Sequence, residues 1–456
     1  MGKHISRRDF LSGSTAAGLG SMVYMHSSDV HAGYVKFETQ KLNFMDQYYY
    51  GALEIVKGIR DTQIDNISAA MEKAYELQVK GGKVRSHINY GHFAMFAGSK
   101  DRPGQPWVLP QPGITPKQEE YNELKEGDFI ITSRVSPEYN KLRDRGVYVV
   151  GVTNNYYRFS RTPPGGLRES NMELALEDIS DLVIDSQVPW DNGLVHAPQI
   201  PQVALCPSSG LCQFAVYWAC TASLANLIGT KGKGSASEPA QTYLDILYER
   251  FEMIGTDRAK VDWIAGRWVD LVLQKGARML VYGHPQDVEP YDGARNIFVN
   301  DAYICASSSM IADQYEKKAD DLRDTDIVLI GAFTSDNKLE IDVARRARSV
   351  GTHNVAFCPY GTDGDISGPR LFKEVDYAFN TYSDESAGVI EVKGFEKKVS
   401  PVSGLTGDLV LWMLTAQWTD HMCRRGEAPY YWKGYHETGG REYDDLVHPY
   451  FLERGY

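Results

Sequence analysis

One plan is written twice along this chain, at a period of about 195 residues, too long for a solenoid and right for a doubled domain. The first copy opens with Leu53, Val56, Ile64, Ile67, Met71 and Ala74. Spacings of three and four put these on one helical face. Gly81-Gly82 stops that helix, and a strand from Val84 to Asn89 runs into Tyr90-Gly91-His92. The second copy has Leu244, Leu247, Phe251 and Ile254, then Ile264, Trp268 and Leu271. A stop at Gly276, a strand from Met279 to Val281 and Tyr282-Gly283-His284 follow.

The parallel continues downstream. Asp128–Ser133 matches Asp326–Ile330, Val147–Val152 matches Val355–Phe357, and Asp181–Asp185 matches Asp376–Phe379. Pro207-Ser-Ser-Gly210 and Pro401-Val-Ser-Gly404 each precede an apolar helix. The short strands are apolar at consecutive positions, as parallel strands covered on both faces are. Helical patterns lie between them. The fold class read from this is α/β, two tandem doubly wound domains. Residues 33–228 form the first and 241–456 the second, with a Gly/Ser-rich linker over 229–240. Lys233-Gly234-Ser235 does not supply the Gly-Lys-Ser/Thr of a phosphate loop.

Residues 1–32 read as an address. Ser6-Arg7-Arg8-Asp9-Phe10-Leu11 resembles the twin-arginine export signal of bacteria and archaea, and no charge occurs from Phe10 to Ser28. Val30-His31-Ala32 suits a signal peptidase, so cleavage is expected after Ala32. The mature chain is then exported, periplasmic or extracellular, with the twin-arginine machinery as a partner. No stretch of 33–456 reads as long and apolar enough to span a bilayer.

Composition excludes several functions. With 48 Lys+Arg against 60 Asp+Glu the net charge is −12, which disfavours sequence-general nucleic-acid binding. Six cysteines rule out a disulfide scaffold, and Cys206, Cys212 and Cys220 have no Cys-x-x-Cys spacing. The mature chain has no Gly-x-Ser-x-Gly, no His-Glu-x-x-His and no Gly-x-Gly-x-x-Gly after a strand. Hydrolase, zinc-protease and dinucleotide readings therefore fail, and no metal or cofactor is implied.

The C-terminal motif is more specific. Arg425-Gly426-Glu-Ala-Pro429 is followed by Gly439-Gly440-Arg-Glu442-Tyr-Asp444. With the strand-end pairs Gly91-His92 and Gly283-His284, it resembles the sugar isomerase (SIS) domain family, closest to its phosphoheptose isomerase-like and phosphosugar-binding subgroup. Gly439, Gly440 and Glu442 match the family pattern; Arg441 and Asp444 depart from it. The likeness covers 46–228 and 240–456. It implies a five-stranded parallel sheet in each half and a phosphosugar held at the strand ends, between two SIS domains. It further implies aldose–ketose isomerisation through an enediol.

The same resemblance directs attention to hydroxyl-rich turns after the second strand of each copy. These are Thr132, Ser133, Arg134 and Ser136 in the first, and Thr334, Ser335 and Asn337 in the second. Hydroxyls, backbone N–H groups and a helix N-terminus hold phosphate without lysine. Arg134 favours an anion and Asp336 opposes one. The alternative is an ordinary helix cap at Ser136 or Ser335. Gly91 and Gly283 carry the loops before His92 and His284, whose imidazoles could open a sugar ring or be structural. Glu442 is the carboxylate base candidate, with Glu437 and His436 beside it; otherwise Glu442 opens a helix over Glu442–Leu452. Ser208 and Ser403 open long helices, as caps or as contacts to sugar hydroxyls. Aromatic clusters such as Tyr48-Tyr49-Tyr50 and Tyr430-Tyr431-Trp432 suit core packing, sugar stacking or a homo-oligomer interface. The expectation is an exported sugar or sugar-phosphate isomerase; the rival is a non-catalytic sensor or carrier with degenerate sites.

Overall fold

A computed structural model describes residues 42–87, 109, 123–133, 137–153, 176–189, 193–201, 204–283, 313–314, 319–332, 334–361, 368–383, 388–431 and 440–454. In the first half, helices α1 (Phe44–Thr62) and α2 (Ile64–Val79) lead into β1 (Val84–His87). Then come β2 (Phe129–Thr132), α3 (Pro137–Asp144), β3 (Tyr148–Val152), α4 (Leu176–Ile179) and β4 (Leu182–Ile184). A hairpin of β5 (Gly193–Val195) and β6 (Leu205–Pro207) hands over to α5 (Ser209–Thr230). The second half follows the same order. It has α6 (Ser237–Ile254), α7 (Arg258–Lys275), β7 (Met279–Gly283), β8 (Asp313–Gln314), β9 (Ile327–Gly331), α8 (Lys338–Val350), β10 (His353–Cys358), β11 (Tyr377–Asn380) and α9 (Ser403–Arg424). Helix α10 (Gly440–Arg454) closes the chain.

Both sheets are wholly parallel, ordered β1-β2-β3-β4 and β11-β10-β9-β7-β8. Every residue of β2 and β9 is buried, which explains their unbroken apolar runs. The second sheet has the expected five strands; the first has four among the described residues. The stretch between β1 and β2 where a counterpart of β8 would fall lies mostly outside them.

Several bonds recur at matching places in the two halves. The Asp128 carboxylate accepts from the backbone N–H of Lys83 (2.7 Å) and Lys125 (3.0 Å). Asp326 accepts from the N–H of Arg323 (2.9 Å) and from the Arg278 guanidinium (3.0 and 2.6 Å). Val149 N–H donates to Asp181, and Asn354 N–H to Asp376, at 2.8 and 2.9 Å. The Tyr48 hydroxyl donates to Pro207 O, and that of Tyr243 to Pro401 O. Left-handed backbone recurs at Gln187 and Tyr382 and at Cys206 and Ser400. Such φ values are uncommon without glycine, so their recurrence in pairs reflects one shared chain path.

Where one long helix was expected before β1, two stand, broken at Gln63. Its side chain is buried and accepts the Asp185 N–H at 2.9 Å, a tertiary contact that the local pattern does not encode. The connection after α5 is short and pinned. Lys231 is left-handed, Gly234 N–H donates to the Thr230 hydroxyl, and Ser223 donates to Ala236 O.

The main core lies where the helices of the two halves meet. Trp218, Trp268, Trp412 and Trp418 are all within it and buried. Each contributes about 2–3 kcal/mol of apolar burial. Arg258 clamps the seam, lying 4.9 and 5.2 Å from the rings of Tyr49 and Tyr50 and donating to the Tyr50 hydroxyl at 2.7 Å. Contrary to expectation, among the described residues one helix, α5, is by length and composition apolar enough to cross a membrane. Its most apolar window is 83 % buried inside the fold, and its composition follows from that packing.

Candidate functional site

Open parallel sheets present ligands with the carboxyl ends of their strands. The two hydroxyl turns stand there. Thr132 ends β2 and Ser133 follows it, both fully buried. In the second half Ser335 is fully buried and Thr334 half-buried, just beyond the end of β9. The alternative reading of Ser335 as a helix cap does not hold. Asn337 caps α8, its side-chain oxygen accepting from Leu339 N–H at 3.0 Å. This spares the Ser335 hydroxyl for another partner. That partner is Arg370, whose Nη1 donates to Ser335 Oγ at 3.2 Å and lies 3.8 Å from Asp336. The Ser335 carbonyl is also held, by Leu371 N–H at 2.6 Å. Asp336 therefore does not face the turn as a bare negative charge, as its position in the sequence implies; a guanidinium stands against it.

Arg370 was not legible as a site residue. It lies on the stretch after β10, and only the fold brings it to the turn. Thr153, Asp185, Ser186 and Gln187, at the ends of β3 and β4, were missed too. Thr153 Oγ1 donates to Asp185 Oδ1 at 3.0 Å, and Asp185 Oδ1 accepts Gln187 N–H at 2.9 Å. All four are buried at the first sheet's rim. In the second half Asn380 Oδ1 accepts from Tyr360 N–H and Tyr382 N–H. The repeated Asp/Asn two residues before the left-handed position was the available signal. Lys260 and the Tyr360 hydroxyl both donate to Ala378 O on the outer edge of β11. Burial lowers the Lys260 ammonium and raises the Tyr360 phenol. These two groups cover an edge strand.

Gly283 ends β7. Gly91, His92, Arg134, Ser136, His284, His436 and Glu437 lie outside the described residues. Glu442 stands in the first turn of α10, exposed to solvent, where the helix dipole favours a carboxylate. Capping by Ser208 and Ser403 is corrected. Ser208 occupies the N-cap of α5 in helical conformation without a side-chain cap bond, and Val402 takes that position for α9. Cys206, on β6, is fully buried. Burial, with Asp408 nearby, pushes its thiol well up. Among the described residues no group of three or more His, Cys, Asp or Glu converges as a metal site would require.

No protein-family model matches the chain, and no curated protein matches it. Its structural neighbours are phosphosugar isomerase and sugar-binding proteins at low identity. The C-terminal domain of glucosamine-fructose-6-phosphate aminotransferase from Francisella tularensis is 11 % identical, with a TM-score of 0.47 over 82 % of this chain and 96 % of that one. Tagatose-6-phosphate ketose/aldose isomerase from Escherichia coli is 11 % identical, with a TM-score of 0.42 over 86 % and 96 %. A protein from Salmonella typhimurium, provisionally assigned as sugar binding, is 10 % identical, with a TM-score of 0.46 over 81 % and 98 %.

Proposed function

We propose that this chain is a doubled sugar isomerase-like protein that binds a sugar or sugar phosphate at the carboxyl ends of its parallel sheets. The observation that carries the reading is the second turn, where a buried serine hydroxyl meets the Arg370 guanidinium beside a capped helix N-terminus. Hydroxyl, guanidinium and helix dipole all favour an anionic oxygen. Arg370→Gln is expected to weaken binding of D-fructose 6-phosphate about tenfold while leaving D-fructose unaffected, because a charge-assisted bond is lost only to the phosphate. Calorimetric titration of both sugars reads this; equal loss for the two removes Arg370 from phosphate recognition.

The proposed reaction is aldose–ketose isomerisation. A carboxylate takes the proton from C2 as the C1 carbonyl oxygen gains one, giving an enediol. The carboxylate then passes its proton to C1 as the O2 hydroxyl loses its own, with no net oxidation of the substrate. Glu442 is the candidate base from the family motif. In deuterated water, wild-type protein should place label at C2 of a responsive aldose phosphate. Glu442→Gln should lose that exchange and keep the binding; retained exchange removes Glu442 from the chemistry. The second reading, a non-catalytic binder, is favoured by the exposed setting of Glu442 on α10. Binding without exchange for every aldose phosphate would establish it. Residues 1–32 are proposed to be a twin-arginine leader, which puts the mature chain outside the cytoplasm and gives a new N-terminus after Ala32.

A further inference from the structure

Helix α5 is almost wholly buried, and its other buried polar side chains with assigned bonds return them to the chain. Thr221 Oγ1 donates to Tyr217 O at 3.0 Å and Ser223 Oγ to Ala236 O at 2.5 Å. Gln213 is different. It is completely buried, and among the described residues neither its amide nitrogen nor its amide oxygen has a hydrogen-bond partner. Leaving two such groups dry and unpaired is costly, and native folds rarely tolerate it without a reason.

The position of Gln213 supplies the reason. Gln213 and Tyr217 are four residues apart and share a helix face. The Tyr217 hydroxyl donates to Leu109 O at 3.0 Å, and the same oxygen accepts from Ser86 near the carboxyl end of β1. The far end of α5 lies against the end of α2, since a side chain at Gly232 would strike the Tyr75 ring. Because α2 runs into the start of β1, the first turns of α5 lie toward the sheet's carboxyl edge. Gln213 sits one turn nearer that edge than Tyr217. Gly407 takes the matching place on α9. It is buried, yet a side chain there would meet no described atom beyond its own helix within 4 Å. One half thus holds an unpaired amide where the other holds a glycine with no described side chain against it.

We infer that Gln213 is a ligand-reading residue of the first half, taking the polyol part of the sugar. This rests on the sugar-binding reading above. An amide presents both donors and an acceptor, so it pairs fully with neighbouring sugar hydroxyls, donating through Nε2 and accepting at Oε1. A phosphate offers only acceptors and would leave Oε1 unpaired.

The test is Gln213→Met, similar in volume and without polar groups to satisfy, read by thermal unfolding with and without D-fructose and D-fructose 6-phosphate. The unliganded variant should melt about 2 °C above wild type, since an unpaired amide is gone. Its affinity for both sugars should fall about tenfold, equally for the free and phosphorylated forms. That equality separates Gln213 from Arg370. If Gln213→Met fails to fold, or melts lower, the amide serves the fold and the assignment is overturned. Wild-type affinity in a folded variant overturns it as well, leaving the sugar reading intact. Should neither sugar raise the melting temperature of the wild type, the sugar reading falls and this assignment with it. Gln213→Asn, which draws the amide back by one methylene, should fold and bind more weakly than wild type; unchanged binding again overturns the assignment.

Discussion

Asp326→Ala is expected to lower the stability of the fold by about 3 kcal/mol, more than any single change at the sequence-predicted site residues. Its carboxylate is fully buried beneath the second sheet and receives three donors, two from Arg278 and one from Arg323 N–H. Removing it strips a mostly buried guanidinium of its inner partner and leaves a backbone N–H unpaired. The outer partner of Arg278, Asp321, is largely exposed and offsets little of the loss. The equivalent change in the first half separates charge from hydrogen bonding. Asp128 performs the same backbone task for Lys83 and Lys125, but the Lys83 ammonium turns outward to exposed Glu123. Asp128→Ala should therefore cost less, about 2 kcal/mol, from two orphaned N–H groups alone. Urea unfolding of both variants tests the comparison. An Asp326→Ala loss equal to or smaller than that of Asp128→Ala would show that the Arg278 pair adds nothing to the shared bonds.

That comparison rests on a repeat that was visible in the residues themselves. Apolar runs located β2, β3, β9 and β10 to within a few residues, because strands buried on both faces are apolar over most of their length. Glycine stops were equally legible, with Gly276 closing α7 in left-handed conformation. Contacts between distant segments stayed hidden. Periodicity ran straight through Gln63, although a hydrogen bond to Asp185 breaks the helix there. Serine before an apolar helix read as a cap, yet Ser208 is itself helical, and the side-chain cap of α8 comes from Asn337. The site suffered most from this limit. The hydroxyl turns could be found from their chemistry and their place after strands. Arg370 and Gln213 could not, since one comes from a separate loop and the other lies in an apolar helix where a lone glutamine carries no local signal.

Gly388→Ala and Gly193→Ala should each destabilise the fold by about 3 kcal/mol, and by similar amounts. Both glycines begin the hairpin that precedes a long helix. Gly388 N–H donates to Lys398 O at 3.0 Å, and Gly193 pairs with Pro207 across the β5–β6 ladder. A side chain on Gly388 would run into the carbonyl of Val399, and one on Gly193 into that of Ala204. The obstacle is backbone in both cases, so no rotamer change relieves it, and the strands must separate. Separation moves the left-handed residues that follow, Ser400 and Cys206, and through them the first turns of α9 and α5. Gly407→Ala is the control. Its added methyl meets open space inside a helix, where alanine is favoured over glycine by up to about 1 kcal/mol. Thermal unfolding of the three variants should show two matched losses and one neutral or stabilising change. Melting of Gly388→Ala and Gly193→Ala at the wild-type temperature would mean that the backbone yields freely at both places, and that this close approach does not hold the helices that follow.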